Sequence, residues 1–360
     1  MKHSKHRIEA LDGLRFFAFI MVMAYHYLFI APLQGFIPHD YVIIPFSFGD
    51  FGVDLFFLIS GFVITLSSEN RSAKQFFIAR FNRIVPLFIL CAFVIYFFSI
   101  SLPMVDPKER LISLVYSLTF FPHLFGQQYF SSVYWTIALE VTFYIWVALL
   151  MSMKLWDHHR MLVCAIWIVL SYLNVFILKN DLISTVLITQ YSGHFVIGIV
   201  LFELRTLRLR PVHSLLILAS SVLVYNSMIR HQLWIDNFKI YVDHASLLFM
   251  TFFLITIVWL SSHVESLGKF YSIVKFLGAM TYPLYLVHAD LGFWSHAIFE
   301  RKLWNDYPIL KEYVNYHFMI IIACTLSFII AAILVKFVDP FTQRVLKKIW
   351  YPPVKSRKSE

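Results

Sequence analysis

Ten stretches of this 360-residue chain are apolar for long enough to cross a lipid bilayer. In hydrocarbon every backbone N–H and C=O needs a partner within the protein, and about 20 helical residues span a core about 30 Å thick. Runs of this kind therefore fold as membrane helices. They fall at 14–34, 51–67, 84–102, 131–151, 161–178, 183–204, 212–228, 245–261, 275–297 and 315–337. The expected fold is all-α, a polytopic membrane protein with about ten transmembrane helices. Only 14% of residues are charged, against about 25% in soluble domains, which leaves no sizeable aqueous domain. No internal repeat or low-complexity linker divides the chain. It reads as one membrane domain over 1–340 and a basic tail over 341–360. The first apolar run is too long for a cleavable signal peptide and shows no small-residue cleavage site.

The formal charge of +9 is read as topology rather than as a nucleic-acid surface. With the N-terminus in the cytoplasm, 22 of the 30 Lys and Arg fall in inside segments and 8 outside. Cations collect on the cytoplasmic side, so both termini are expected there. The stretch from Gln343 to Trp350 is basic and amphipathic, suited to anionic headgroups of the inner leaflet. The external connection 103–130 is aromatic enough to lie in the interface or dip back into the protein.

Ionisable residues inside a bilayer are costly and mark functional positions. In the first helix Arg15 and His26 are eleven residues apart, about 16 Å and three turns, so they share a face. Each also has a plainer reading, Arg15 as an anchor and His26 as an interhelical hydrogen bonder. Asp54 opens the second helix and needs a partner there. Ser60-Gly61 reads as a close-packing pair. Arg80 and Arg83 share a face if helical and suit phosphate capture, although alone they also fit a positive-inside anchor. Tyr134 and Trp135 fit the interfacial aromatic belt. Glu140 lies roughly 8 Å deeper than Trp135, close to the depth of His26, which makes the two a candidate acid–imidazole pair. His194 and His288 are candidates for a polar cavity or for structural hydrogen bonds, and Pro283 is expected to kink its helix. Cys91, Cys164 and Cys324 lie far apart in apolar runs and read as packing residues. No metal-ligand spacing stands out, so no metal is expected.

These residues occur in a recognisable order. Leu11-Asp12-Gly13-Leu14-Arg15 with Arg15-x10-His26 opens it. Gly52-Val53-Asp54-Leu55-Phe56-Phe57 to Ser60-Gly61-Phe62 and Arg80-x-x-Arg83 with Pro86 follow. Trp135-Thr136 with Glu140, then Tyr282-Pro283-Leu284-Tyr285-Leu286-Val287-His288, complete it. The chain thereby resembles the integral-membrane acyltransferase-3 family over essentially its whole membrane domain. It departs in having Asp339-Pro340 where the family often has Glu-Pro, and Thr136-Ile137 where Ser-Leu is common.

The resemblance implies an O-acyltransferase in a bacterial inner membrane. It would move an acyl group, usually acetyl, from cytoplasmic acyl-CoA to a hydroxyl of a surface polysaccharide or its lipid-linked precursor. His26 would be general base or transient acyl carrier, with Glu140 orienting it. Arg15, Arg80 and Arg83 would hold acetyl-CoA, and Asp54, Trp135, Tyr285 and His288 would support substrate or structure. A small-molecule acceptor, or a polytopic transporter in place of an enzyme, remains open on the sequence.

Overall fold

The computed structural model describes residues 8–101, 105–236, 243–264 and 266–350. All regular structure among these residues is helical. The crossings are α1 (Glu9–Leu33), α2 (Ile44–Ser68), α3 (Ala73–Ser99), α5 (Tyr134–Ser152), α6 (Leu155–Leu178), α7 (Asp181–Thr206), α8 (Pro211–Ile229), α9 (His244–Ser262), α10 (Gly268–Ile298) and the helix beginning at Tyr316. That last one comprises α11 (Tyr316–Ile333), a π-helical turn (Leu334–Val338) and α12 (Asp339–Trp350). The short helix α4 (Pro107–Ser117) lies between α3 and α5. The ten crossings coincide with the ten apolar runs. α3 begins at Ala73, well before the expected 84, because Ser72 and Gln75 cap each other's backbone N–H reciprocally and start the helix in its polar segment. Arg80 and Arg83 are therefore helical.

α1 packs between α2 and α10, and α10 in turn contacts α3 and α11. At its far end α1 widens into a π-helical turn over His26–Ile30, a feature often found at functional positions. α2 and α7 approach most closely. A Cβ on Gly61 would lie 2.2 Å from the Phe195 carbonyl oxygen, and one on Gly198 2.1 Å from that of Leu58. Only glycine allows two backbones so near, as expected for the Ser60-Gly61 pair.

α7 is interrupted near Ile188, which has a positive φ of 52°. The freed polar groups are gathered by Asn174, which is fully buried. Its amide donates to the Asn180 carbonyl and to the hydroxyls of Ser184 and Thr189, at 2.9 to 3.2 Å, while its oxygen accepts from the Asn180 N–H at 3.0 Å. This knot holds the break and starts the second half of α7 at Ser192, delivering His194 into the bundle.

The connection after α3 folds back on the protein, the second of the two arrangements its aromatic and apolar character allowed. Arg110 of α4 donates to the Phe130 carbonyl at 2.9 Å and lies 3.4 Å from Asp290 of α10. Its guanidinium stacks 3.8 Å from the Phe130 ring centroid. α12 is amphipathic, with Phe341, Val345 and Ile349 exposed along one stripe. Its Gln343 amide and Trp350 indole donate to the carbonyl and side-chain oxygen of Asn82, at 2.7 and 3.0 Å. Residues 351–360 of the expected basic tail lie outside the described residues.

Candidate active site

A chamber of about 1720 Å³ enters the bundle from the face where α1 begins. Its mouth is lined by Glu69, Asn70 and Arg71 after α2, by Arg205 to Leu207 after α7, and by Asp157, Asp339 and Gln343; it narrows inward to Phe56, Thr136, Glu140 and Tyr285. Arg160 ties the mouth together: it is bound by Glu203 and lies 2.9 Å from Glu69, so α2, α6 and α7 share one ion cluster.

Three of the expected cations line this chamber. Arg15 is buried, with Nη1 3.9 Å from Asp12 Oδ1. Arg80 is 8% exposed and its Nε has no hydrogen-bond partner among the described residues. The guanidinium sits 5.9 Å from both the Phe76 and Tyr144 ring centroids. Arg83, one turn on, stands at the mouth. The sequence reading missed Arg71, which lines the same chamber and also has a buried Nη1 with no partner among the described residues. Its only signal was a cation just before the Ser72 cap. Among the described residues, Arg71, Arg80 and Arg83 form no ion pair, and Arg80 feels the positive charge of both others. Like charges are held together here where a multiply charged anion fits.

Glu140 also lines the chamber, but not beside His26. It accepts hydrogen bonds from the hydroxyls of Tyr144, one turn away, and Ser60 at 3.4 Å. Its charge acts on Arg15 and Arg80. The expected His26–Glu140 pair is thus corrected. α5 presents Glu140 toward α2 and the arginines, while α1 presents His26 toward α10.

The partner of His26 is His288. His288 Nε2 lies 3.1 Å from His26 Nδ1, and the ring centroids are 4.9 Å apart. His26 Nδ1 is also 3.0 Å from the Val22 carbonyl. His288 Nδ1 faces the carbonyls of Leu284 and Tyr285, at 3.2 and 2.9 Å. Its own carbonyl accepts from Tyr27 at 2.6 Å, and Phe19 packs edge-on against its ring. Neither histidine is on the chamber wall. Tyr285 joins the two regions: it lines the chamber, its hydroxyl meets Thr136 at 3.0 Å, and its ring lies 5.7 Å from that of His288. On the other side Phe293 packs against His26 and stacks on Phe36.

Asp54 and His194 pair with each other rather than line the chamber. His194 Nε2 is 2.5 Å from Asp54 Oδ1, both groups being buried. This supplies the partner that Asp54 required. Trp135 packs on Tyr191 and Phe57 beside that pair. Cys91 and Cys164 are buried free thiols and Cys324 is half-buried. α10 runs without interruption through Pro283.

A family model described as an acyltransferase domain matches residues 8–336. Peptidoglycan O-acetyltransferase OatA of Listeria monocytogenes serovar 1/2a is 29% identical over 193 residues, 48% of this chain. Nodulation protein 10 of Rhizobium leguminosarum bv. viciae is 27% identical over 213 residues, 51% of this chain. A putative peptidoglycan O-acetyltransferase, YrhL of Bacillus subtilis, is 29% identical over 164 residues, 40% of this chain. The chain spans 29%, 56% and 24% of the length of these curated relatives. No solved structure matches it.

Proposed function

The chain belongs to the acyltransferase-3 family, and from that membership we propose that it transfers an acyl group, acetyl in the first instance, from acyl-CoA to a hydroxyl of a surface polysaccharide or its lipid-linked precursor. The observation that carries this reading is the cluster of Arg71, Arg80 and Arg83, which face one chamber and form no ion pair among the described residues. The excess of Lys and Arg on the face where α1 begins supports a cytoplasmic position for that face, where acyl-CoA resides, and family membership supports a bacterial inner membrane. Phosphates of the donor bind the three guanidiniums. Its extended arm runs inward past Arg15 and Glu140 toward Thr136 and Tyr285. The acceptor class follows the relatives named as peptidoglycan O-acetyltransferases.

The chemistry belongs to His26. Its ring nitrogen takes the proton of the acceptor hydroxyl as the oxygen attacks the thioester carbonyl, and returns that proton to the departing thiolate. Hydroxyl and thioester thus become ester and thiol. Glu140, held by Tyr144 and Ser60, balances the charge of Arg15 and Arg80 around the donor. Asp54 with His194, and Trp135 beside them, support the wall formed by α2, α5 and α7.

The test is mass spectrometry of surface glycans from cells carrying the wild-type protein, His26→Ala, or no copy. An acetyl mass increment present with wild type alone is the expected result. No increment from any strain, at equal protein levels, removes the glycan acceptor. Wild-type transfer by His26→Ala removes the assignment of the base. Thiol release from acetyl-CoA by the same membranes reports on the donor, and its absence across a panel of acceptors removes acyl-CoA.

A further inference from the structure

The two buried imidazoles carry an assignment of their protons. Carbonyl oxygens only accept hydrogen bonds. His288 Nδ1 faces two of them, Leu284 and Tyr285, so it bears a proton. In a neutral ring this leaves His288 Nε2 as a lone pair. The group facing that lone pair at 3.1 Å is His26 Nδ1, which must therefore be the donor. The Val22 carbonyl, 3.0 Å from the same nitrogen, requires the same proton. The chain of donation runs from His26 Nδ1–H to His288 Nε2, and from His288 Nδ1–H to the backbone of α10.

We propose that His288 is the positioning residue of the transferase: it holds His26 in the Nδ1–H tautomer and leaves His26 Nε2 as the reactive nitrogen. This rests on His26 being the base. It gives His288 the place that a carboxylate takes in hydrolase triads, where the second group fixes the tautomer and supports the imidazolium that forms. A neutral imidazole does so without placing a fixed negative charge in the bilayer, which is costly. When His26 Nε2 takes the hydroxyl proton, the cation's Nδ1–H already points at a lone pair. The ring of His288 is itself fixed by Tyr27 on its carbonyl, by Phe19 and by Tyr285. No reorientation of either ring is then required during the reaction.

The experiment has two arms. In the first, the full-length protein labelled with 15N-histidine is placed in lipid nanodiscs, and the His26 signals are assigned by their loss in His26→Ala. A bare Nε2 and a protonated Nδ1 at neutral pH are expected. A protonated Nε2 with bare Nδ1 overturns the proposal. This arm needs no substrate, so it stands or falls apart from the identity of donor and acceptor. In the second arm, turnover of acetyl-CoA by membranes is compared for His288→Leu and His288→Gln. Gln at this position places an amide oxygen near the place of Nε2 and accepts from His26; Leu cannot. Turnover is expected to fall about a hundredfold with His288→Leu, at unchanged KM for acetyl-CoA, and to recover at least tenfold with His288→Gln. Equal losses in both variants, or wild-type turnover in His288→Leu, overturn the proposal. Protein levels and unfolding temperatures of the two variants, matched beforehand, separate these results from misfolding.

Discussion

Replacing Arg80 by Met should make the empty protein more stable and the donor complex weaker. Arg80 is 8% exposed and its Nε–H has no acceptor among the described residues. An orphaned buried donor costs about 1–3 kcal/mol, and the neighbouring positive charges of Arg71 and Arg83 add to that cost. The compensation is small: the Glu140 charge attracts the guanidinium, but among the described residues the two form no ion pair. The guanidinium lies 5.9 Å from the Phe76 and Tyr144 rings, close to the limit of about 6 Å for cation–π attraction, which contributes roughly 0.5–1 kcal/mol per ring at exposed sites. Met keeps most of the aliphatic packing and removes the charge. A net gain of about 1 kcal/mol corresponds to roughly 1–2 °C in apparent unfolding temperature for a chain of this size. With coenzyme A bound the sign reverses. A charge-assisted hydrogen bond contributes about 1.5–3 kcal/mol, so Arg80→Met should weaken coenzyme A binding by about tenfold to a hundredfold. The assay is thermal unfolding in detergent with and without coenzyme A, with titration calorimetry for the affinity. An Arg80→Met protein that unfolds at lower temperature when empty, or that binds coenzyme A as tightly as wild type, would refute the argument that this cation is held in place for an anionic ligand.

Two further substitutions test the scaffold. Gly61→Ala forces a Cβ to within 2.2 Å of the Phe195 carbonyl oxygen, so α2 and α7 must separate; a loss of at least about 2 kcal/mol should appear as a lower unfolding temperature and a broadened size-exclusion peak. Asn174→Leu removes every partner gathered at the break in α7, including the acceptor for the Asn180 N–H, and should cost about 2–4 kcal/mol. Hydrogen exchange is expected to rise selectively over residues 180–192, and unchanged exchange there would show that the knot does not hold the break.

Much of the architecture was legible because a bilayer imposes one strong rule. The ten apolar runs had to be helical, and each is, with one break in α7 near Ile188. The spacing of Arg15 and His26 followed from helical geometry alone, since α1 stays regular up to Tyr25 and the π-helical turn begins only at His26. The early start of α3 was written in the Ser72 and Gln75 cap, but hydropathy does not register a polar helical turn. Arg71 was passed over for the same reason: a cation in a short loop looks like an anchor until the chamber behind it is seen.

What the sequence by itself determined is depth. Hydropathy and helical rise place every residue along the membrane normal, and they put His26 and Glu140 at similar levels. They say nothing about which helices are neighbours in the plane of the membrane. Lipid is as apolar as the helices it surrounds, so lateral order is decided by close backbone packing and by satisfying the few buried polar groups. Only the tertiary structure decided those matches. α2 was drawn against α7 through Gly61 and Gly198, which paired Asp54 with His194. α1 was set against α10, which gave His26 an imidazole for a partner. Glu140 was left facing the arginines of the chamber.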